Sequence, residues 1–302
     1  MKAIVLHEYG GPEQLKWEDC AEPVPAMGEV LVRVAAAGIN PIDWKMRSGE
    51  ARAHYPLTFP AILGRDLSGT VQAVGPGVTG FNPGDSVFAV ASHTYAEFCV
   101  VKATELALVP EGLDLIRAAA LPLVTITGDQ LVRLGTAIGH GQTLLVIGAN
   151  GSVGRSAVRA AREAGAEVIA GVRKSQLEEA RTINANRLIA LDDEAAMRKL
   201  GLVDAIADTV GGKTAAGLLM TVKPGGVFAT VVGPPPKELL DPAIRIQPVV
   251  ATPDPQRMVH LAHEVVRGRL VIPIERMMPL QEAAQAQAAA EMGGLGKVLL
   301  LA

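Results

Sequence analysis

The sequence predicts an α/β protein in two parts, one β-rich and one a doubly wound parallel sheet. Three observations carry this. At 302 residues the chain exceeds what one core usually serves, since single domains stop growing at roughly 250 to 300 residues. Hydrophobic residues make up 49% of it but aromatic ones only 3%, so the core has to be Ala, Val, Ile and Leu, which suits helices packed on sheets. Near residue 122 the hydrophobic rhythm changes from short β-branched runs between turns to alternating strand and helix patterns.

In the first part, β-branched runs bounded by Gly and Pro predict strands at 30–35, 69–74, 86–90 and 96–101. The stretch 75–84, Gly-Pro-Gly-Val-Thr-Gly-Phe-Asn-Pro-Gly, is dense in turn residues and reads as a loop between two of these strands. In the second part the pattern runs strand 143–147, helix 153–164, strand 167–170 and helix 175–183. It continues with strands 187–191 and 203–208, a helix near 214–221 and strand 226–232. Strands separated by helical crossovers imply a parallel sheet covered on both faces, the Rossmann class. After Asp254 a helix to 267, a strand near 271–276, an Ala/Gln-rich helix at 282–291 and a strand at 297–301 follow, and these last strands are expected to rejoin the first part.

Lys and Arg total 28 against 31 Asp and Glu, a net charge of −3 with no long run of either sign, so the electrostatic footprint of a nucleic-acid binder is absent. Cys20 and Cys99 are too few for a disulfide framework or a four-cysteine zinc site and are read as reduced thiols. The first residues, Met-Lys-Ala-Ile-Val-Leu-His-Glu, reach charge too soon for a signal peptide or a membrane span, so a cytoplasmic protein without a membrane partner is expected.

The run Leu144-Leu145-Val146-Ile147 leads into Gly148-Ala149-Asn150-Gly151-Ser152-Val153-Gly154 and then a helix. Glycines let a pyrophosphate approach the backbone, and the helix start offers free N–H groups and a partial positive charge. Ala149, Gly151, Ser152, Val153 and Gly154 are therefore the candidate dinucleotide cradle, with amides expected from Ser152 and Val153. Alone, such a match can be a structural turn; its place between the first strand and helix of a βαβ series is what points to phosphate.

At the end of the next strand the sequence reads Ala170-Gly171-Val172-Arg173-Lys174. An acid there would bind a ribose 2′-hydroxyl; Arg173 and Lys174 instead suit a 2′-phosphate, making NADPH the expected cofactor. The bland alternative is that both open a solvated helix, although cations are poorly placed against a helix N-terminus.

Five segments give the chain a wider resemblance: Gly38-Ile39-Asn40-Pro41-Ile42-Asp43, Gly64-Arg65-Asp66-Leu67-Ser68-Gly69, Pro83-Gly84-Asp85-Ser86-Val87, Leu121-Pro122-Leu123 with Thr127, and Gly296-Lys297-Val298. In this order they resemble the zinc-free quinone oxidoreductase (zeta-crystallin-like) branch of the medium-chain dehydrogenase/reductase family. The resemblance implies a β-rich GroES-like catalytic domain (1–122 with 254–302), an inserted Rossmann domain (123–253), an active site in the cleft between them and a homodimer paired through the last Rossmann strand, near 243–250. It also implies a threonine approaching the nicotinamide at Thr127, and backbone contacts to the cofactor at Val210, Gly211, Val232 and Gly233. Leu191 departs from the family, standing where many relatives have Tyr near the adenine phosphate.

Zinc-dependent relatives carry Cys where Asn40 stands and His-Glu where Arg65-Asp66 stands, so no metal is expected, and Arg65 is expected to pair with Asp66 or a neighbour. Asn40 and Asp43 match the family's N-x-x-D segment at the nicotinamide end of the cleft. Asn40 also reads as a turn residue before Pro41, and Asp43 as a helix N-terminal acid. Lys45, two residues on, would donate to a substrate oxygen or hold Asp43; Tyr55 is either a nearby hydroxyl or packing. The six histidines show no metal spacing, and His93 reads as a solvated loop residue. The expected activity is NADPH-dependent hydride transfer to a small quinone or α,β-unsaturated carbonyl, activated by hydrogen bonds. The alternatives are an enoyl-thioester reductase, or a dinucleotide-binding protein of low turnover acting as a redox sensor or structurally.

Overall fold

The computed structural model describes residues 1–294 and 296–302 and divides into two compact units. The first comprises Met1–Leu123, Pro253–Gly268 and Ile272–Ala302, the second Val124–Thr252 with Arg269–Val271.

The first unit is built on two sheets. Lys2–Leu6 lies between Leu15–Asp19 and Ala61–Ile62 in a three-stranded antiparallel sheet that the turn-and-strand pattern does not anticipate. The larger sheet is centred on Glu29–Gly38, which pairs antiparallel with Asp66–Val74, with Phe98–Lys102 and, through Leu299↔Gly38, with the last strand Lys297–Leu301. That last strand thus lies alongside the segment that leads to Asn40. Alternate residues of Ser86–Val90 and Glu29–Gly38 fill an aliphatic core, while Tyr95 is fully buried in a second cluster beneath helix Ala283–Glu291.

The second unit is a six-stranded all-parallel sheet. Its order is Arg187–Ala190, Glu167–Val172, Thr143–Ile147, Val203–Asp208, Val222–Thr230 and Arg245–Pro248. Counted along the chain this is 3-2-1-4-5-6, the doubly wound arrangement in which ligands bind where the order reverses. Helix Ser152–Glu163 lays Ala157, Val158, Ala160 and Ala161 on the sheet and stops at Gly165, whose φ of 78° ends the helix in the left-handed region. Small residues bring neighbouring backbones close: a Cβ on Gly128 of helix Pro122–Gln130 would lie 2.5 Å from the Ser156 Cβ.

Among the described residues, one helical stretch, Leu115–Thr136, is long and apolar enough to cross a membrane by length and composition, and 72% of its apolar window is buried.

Candidate functional site

In the second unit the first strand ends at Ile147, and Gly148 turns the chain with φ +77°, a region open to glycine at little strain. The helix begins at Ser152 with Gly151 as N-cap, so no side chain caps its first-turn N–H groups. A pocket of about 420 Å³ opens here, lined among others by Gly148, Asn150, Gly151, Arg173, Asp192 and Val210. Asn150 is buried, and its Nδ2 has no hydrogen-bond partner among the described residues. Uncapped amides, a glycine floor and a buried donor awaiting an acceptor fit a dinucleotide phosphate.

Each predicted cradle residue has a separate place. Gly151 lines the pocket, and Ser152 and Val153 open the helix, half-buried. Ala149 is fully buried, and Gly154 packs its Cα against the turn, where a Cβ would stand 2.7 Å from the Ala149 Cα; both shape the turn from behind. Arg155, which in sequence looks like any charged residue on a helix surface, is buried and donates to the Asn150 backbone oxygen at 3.0 Å and to Asn150 Oδ1 at 2.7 Å, holding the turn closed.

The loops after the fourth and fifth strands are set by Asp208, also unanticipated. Its Oδ1 accepts from the Val210 and Gly211 N–H groups at 3.0 and 2.9 Å, and its Oδ2 accepts from the Thr230 hydroxyl at 2.9 Å. This brings Val210–Gly211 beside Val232–Gly233, with a Cβ on Gly211 only 2.9 Å from Val232 Cγ2. Thr127 is half-buried on helix Pro122–Gln130.

The basic pair at the second strand end separates. Arg173 lines the pocket, but the Lys174 ammonium pairs with Asp193 at 3.0 Å, and the Lys174 N–H donates to Asp192 Oδ1 at 2.6 Å. The strand end itself carries no acid, yet the neighbouring strand delivers Asp192 to the same pocket wall. Strand-end reading of a single element cannot see a carboxylate supplied by the adjacent one.

In the first unit, Asn40 and Asp43 begin helix Pro41–Ser48, with Asn40 as N-cap and Pro41 in the first turn. The Asp43 Oδ2 accepts from the Asn40 N–H at 2.8 Å and from the Tyr95 hydroxyl at 2.9 Å. Both residues are buried, and Asp43 Oδ1 has no partner among the described residues. Burial pushes the Asp43 carboxyl up to about 7 against the lowering effect of its hydrogen bonds, and burial together with the Asp43 charge drives the Tyr95 phenol well above its ordinary value.

The Asn40 side chain does not cap the helix. Its Oδ1 accepts from Lys297 Nζ at 2.8 Å, and its Nδ2 donates to Asp66 Oδ2 at 2.8 Å. Lys297 Nζ also donates to the Ile39 carbonyl at 2.8 Å and to Asp66 Oδ2 at 3.1 Å, while Asp66 Oδ1 accepts from the Leu123 N–H at 2.7 Å. These three side chains form a closed buried cluster. In the sequence Lys297 stands out only within Gly296-Lys297-Val298; that triplet is the available signal.

Two expectations need correction here. Lys45 does not hold Asp43: its ammonium pairs with Glu50 at 3.2 Å at the surface, since Asp43 turns inward to Tyr95. Arg65 does not pair with Asp66, whose carboxylate is taken by Lys297, Asn40 and Leu123. His93 is an exposed loop residue, as expected, and it also borders a cavity that Arg65 lines, in a left-handed conformation with φ 65°. Tyr55 is half-buried beyond the helix, and its hydroxyl makes no hydrogen bond among the described residues.

A zinc ion does not fit this donor set. The oxygens of Asn40 and Asp66 already face an ammonium, and among the described residues no group of three or more His, Cys, Asp or Glu could hold a metal.

Comparison with known proteins places these features. Residues 26–112 match the alcohol dehydrogenase GroES-like domain family, and residues 183–300 match the zinc-binding dehydrogenase family. The chain is 33% identical over 261 residues to the mitochondrial NAD(P)H oxidoreductase RTN4IP1 of Mus musculus, covering 78% of this chain and 66% of that one. It is 36% identical over 181 residues to a quinone oxidoreductase of Sus scrofa, covering 58% of this chain and 54% of that one. It thus spans between about half and two thirds of these curated relatives. Among solved structures, an alcohol dehydrogenase superfamily protein from Novosphingobium aromaticivorans superposes with a TM-score of 0.87 at 32% identity, over 100% of this chain and 99% of that one. The chain belongs to the medium-chain dehydrogenase/reductase family, in its quinone oxidoreductase branch.

Proposed function

We propose that this protein is an NAD(P)H-dependent oxidoreductase that favours NADPH and reduces quinones or α,β-unsaturated carbonyls without zinc. The observation that carries the reading is the pocket at the carboxyl ends of the parallel strands, with its uncapped helix start, glycine floor and unpartnered Asn150 amide. In this reading Ser152 and Val153 hold the pyrophosphate, with Gly151 giving it room. Arg173 takes the 2′-phosphate, and Val210, Gly211, Val232 and Gly233 present backbone groups to the nicotinamide half, with Thr127 beside them. When bound, the dinucleotide supplies the hydride.

The chain's own residues supply positioning and a proton. Asn40 and Asp43 are positioning residues, because every polar atom they present is committed to the protein except the buried Asp43 Oδ1. A group that protonates the product must re-equilibrate with water, which fully buried Asp43 and Tyr95 do slowly; Lys45 and Tyr55, nearer the surface, are the candidates for that step. With no Lewis acid in this donor set, a conjugated acceptor that needs only hydrogen-bond activation is the matching substrate class.

The test is a parallel titration with NADPH and NADH followed by nicotinamide fluorescence, then turnover on quinones and enones with and without a strong chelator. Binding of neither dinucleotide would sink the reading, and zinc-restored loss of activity under chelation would remove its metal-free part. A dual-cofactor variant has one observation in its favour: Asp192 shares the pocket with Arg173 and suits a ribose hydroxyl, which equal affinities would support. The reading also includes self-association through the edge strand Arg245–Pro248, checked by sedimentation velocity.

A further inference from the structure

A second cavity, of about 470 Å³, lies wholly within the first unit. Its walls expose polar and apolar surface in about equal measure, with Met46, Leu57, Pro60 and Ile62 lining it together with Arg65 and His93. That volume admits a small organic molecule, and the mixed lining offers it both an apolar wall and polar groups. The frame is firm. The Leu57 N–H donates to the Tyr9 hydroxyl at 3.1 Å, and the Tyr9 ring meets Phe59 edge-on at 4.9 Å between centroids. Opposite, the Tyr95 N–H donates to the Leu63 carbonyl at 3.1 Å and the Ala91 N–H to the Arg65 carbonyl at 3.0 Å. Gly64 lies so close to Thr94 and Tyr95 that a Cβ there would stand 2.5 Å from Tyr95 Cδ1. These contacts hold Arg65 and His93 side by side on the rim.

The Arg65 guanidinium is half-buried and makes no ion pair or hydrogen bond among the described residues. Its neighbour Asp66 is sealed into the Lys297 cluster and offers it nothing. His93 is held in a backbone region that costs a non-glycine residue of order 1 kcal/mol or more, a feature that often marks a binding loop. Partial burial and the Arg65 charge keep its imidazole below its ordinary value, so at neutral pH it is a neutral hydrogen-bonding group beside a single fixed cation.

Resting on the oxidoreductase reading above, we propose that this cavity selects acceptors carrying a carboxylate: the conjugated ring or chain lies on Met46, Leu57 and Ile62, and the Arg65 guanidinium binds the anionic group with His93 beside it. An unpaired guanidinium presents a planar fork that matches a carboxylate in two parallel hydrogen bonds.

The experiment uses the full chain, its R65M and R65K variants, and a pair of acceptors, 1,4-naphthoquinone and its 2-carboxylate. Binding of unreactive 2-naphthoate is measured by calorimetry at two ionic strengths. The expected result is that the wild type favours the carboxylated quinone in kcat/KM by about tenfold or more, that R65M reduces this ratio about tenfold, and that R65K restores part of it. 2-Naphthoate should bind the wild type, more weakly at high salt, and bind R65M at least about tenfold more weakly. Quinone turnover with no charge preference and no naphthoate binding overturns the inference and leaves the oxidoreductase reading standing. Naphthoate binding that depends on Arg65 without turnover of either quinone supports the anion site and tells against the oxidoreductase reading instead.

Discussion

The Lys297 ammonium sits 2.8 Å from the Asn40 amide oxygen, joining residues 257 positions apart across the antiparallel pairing of the last strand with Glu29–Gly38. The same ammonium neutralises Asp66, which has no exposure to solvent. A buried ion pair is weak evidence of net stabilisation over an apolar replacement, but removing one member strands the other. Lys297→Met should therefore destabilise the first unit by about 3–5 kcal/mol in urea titrations. Adding Asp66→Asn to it should recover much of that loss; additive losses would show that the cluster is not a coupled pair.

The Asp43 carboxyl gives the fold a pH dependence of unusual sign. Its value is about 7 in the folded chain against an ordinary 3.8, so between those values the folded state holds a proton the unfolded state has lost. Stability from this group is therefore complete below about 4 and falls as pH rises to about 7, opposite to a salt-bridged acid. Asp43→Asn keeps an acceptor for the Asn40 N–H and the Tyr95 hydroxyl and cannot ionise. Relative to the wild type it should gain at least about 1 kcal/mol between pH 4.5 and 7.5, because each tenfold change in the carboxyl's proton affinity is worth about 1.4 kcal/mol. A difference that stays constant across that range would show that burial does not raise this carboxyl.

Much of the fold is legible in the sequence because apolar runs meet turn residues sharply: Ser86–Val90, Thr143–Ile147, Val203–Asp208 and Lys297–Leu301 fall where the patterns put them. The stretch 175–183 reads as one helix in sequence, but it holds a short turn at Lys174–Gln176 and a single helical turn at Leu177–Ala180. There the Gln176 side chain accepts the Arg173 N–H, a local bond that competes with helix and leaves no periodicity signal. The glycine turn and the Asn40-Pro41-x-Asp43 segment are legible because their logic is contained within a few residues. Arg155, Asp208 and Lys297 are not, because what gives each its role is a partner brought close only by folding, and a charged side chain in isolation reads as solvated surface.

Arg173 and Lys174 look equivalent in the sequence but differ in their partners. Lys174 is anchored to Asp193, whereas Arg173 faces the pocket. Arg173→Ala should raise the KM for NADPH at least about tenfold and that for NADH much less, as loss of a charge-assisted bond implies. Lys174→Ala should change either by less than about threefold, because its charge is already paired with Asp193. Equal effects of the two substitutions on NADPH would mean that Lys174 leaves Asp193 for the phosphate.

Two glycines of the cradle separate folding from binding. At Gly154 a Cβ would press on the backbone of the turn itself, 2.8 Å from the Gly148 carbonyl carbon and 2.7 Å from the Ala149 Cα, atoms that cannot rotate away. Gly154→Ala should push helix Ser152–Glu163 off the turn, destabilising the second unit by about 1–3 kcal/mol and weakening dinucleotide binding with it. At Gly151 the backbone is extended with φ −73°, open to any residue, and a Cβ would meet only the Gly148 oxygen at 3.4 Å. Because Gly151 lines the pocket, Gly151→Ala should leave the unfolding midpoint nearly unchanged while lowering NADPH affinity, since the added methyl stands where the pyrophosphate must approach. Calorimetric melting and fluorescence titration of both variants check this; unchanged NADPH binding in Gly151→Ala would move the phosphate away from the helix start.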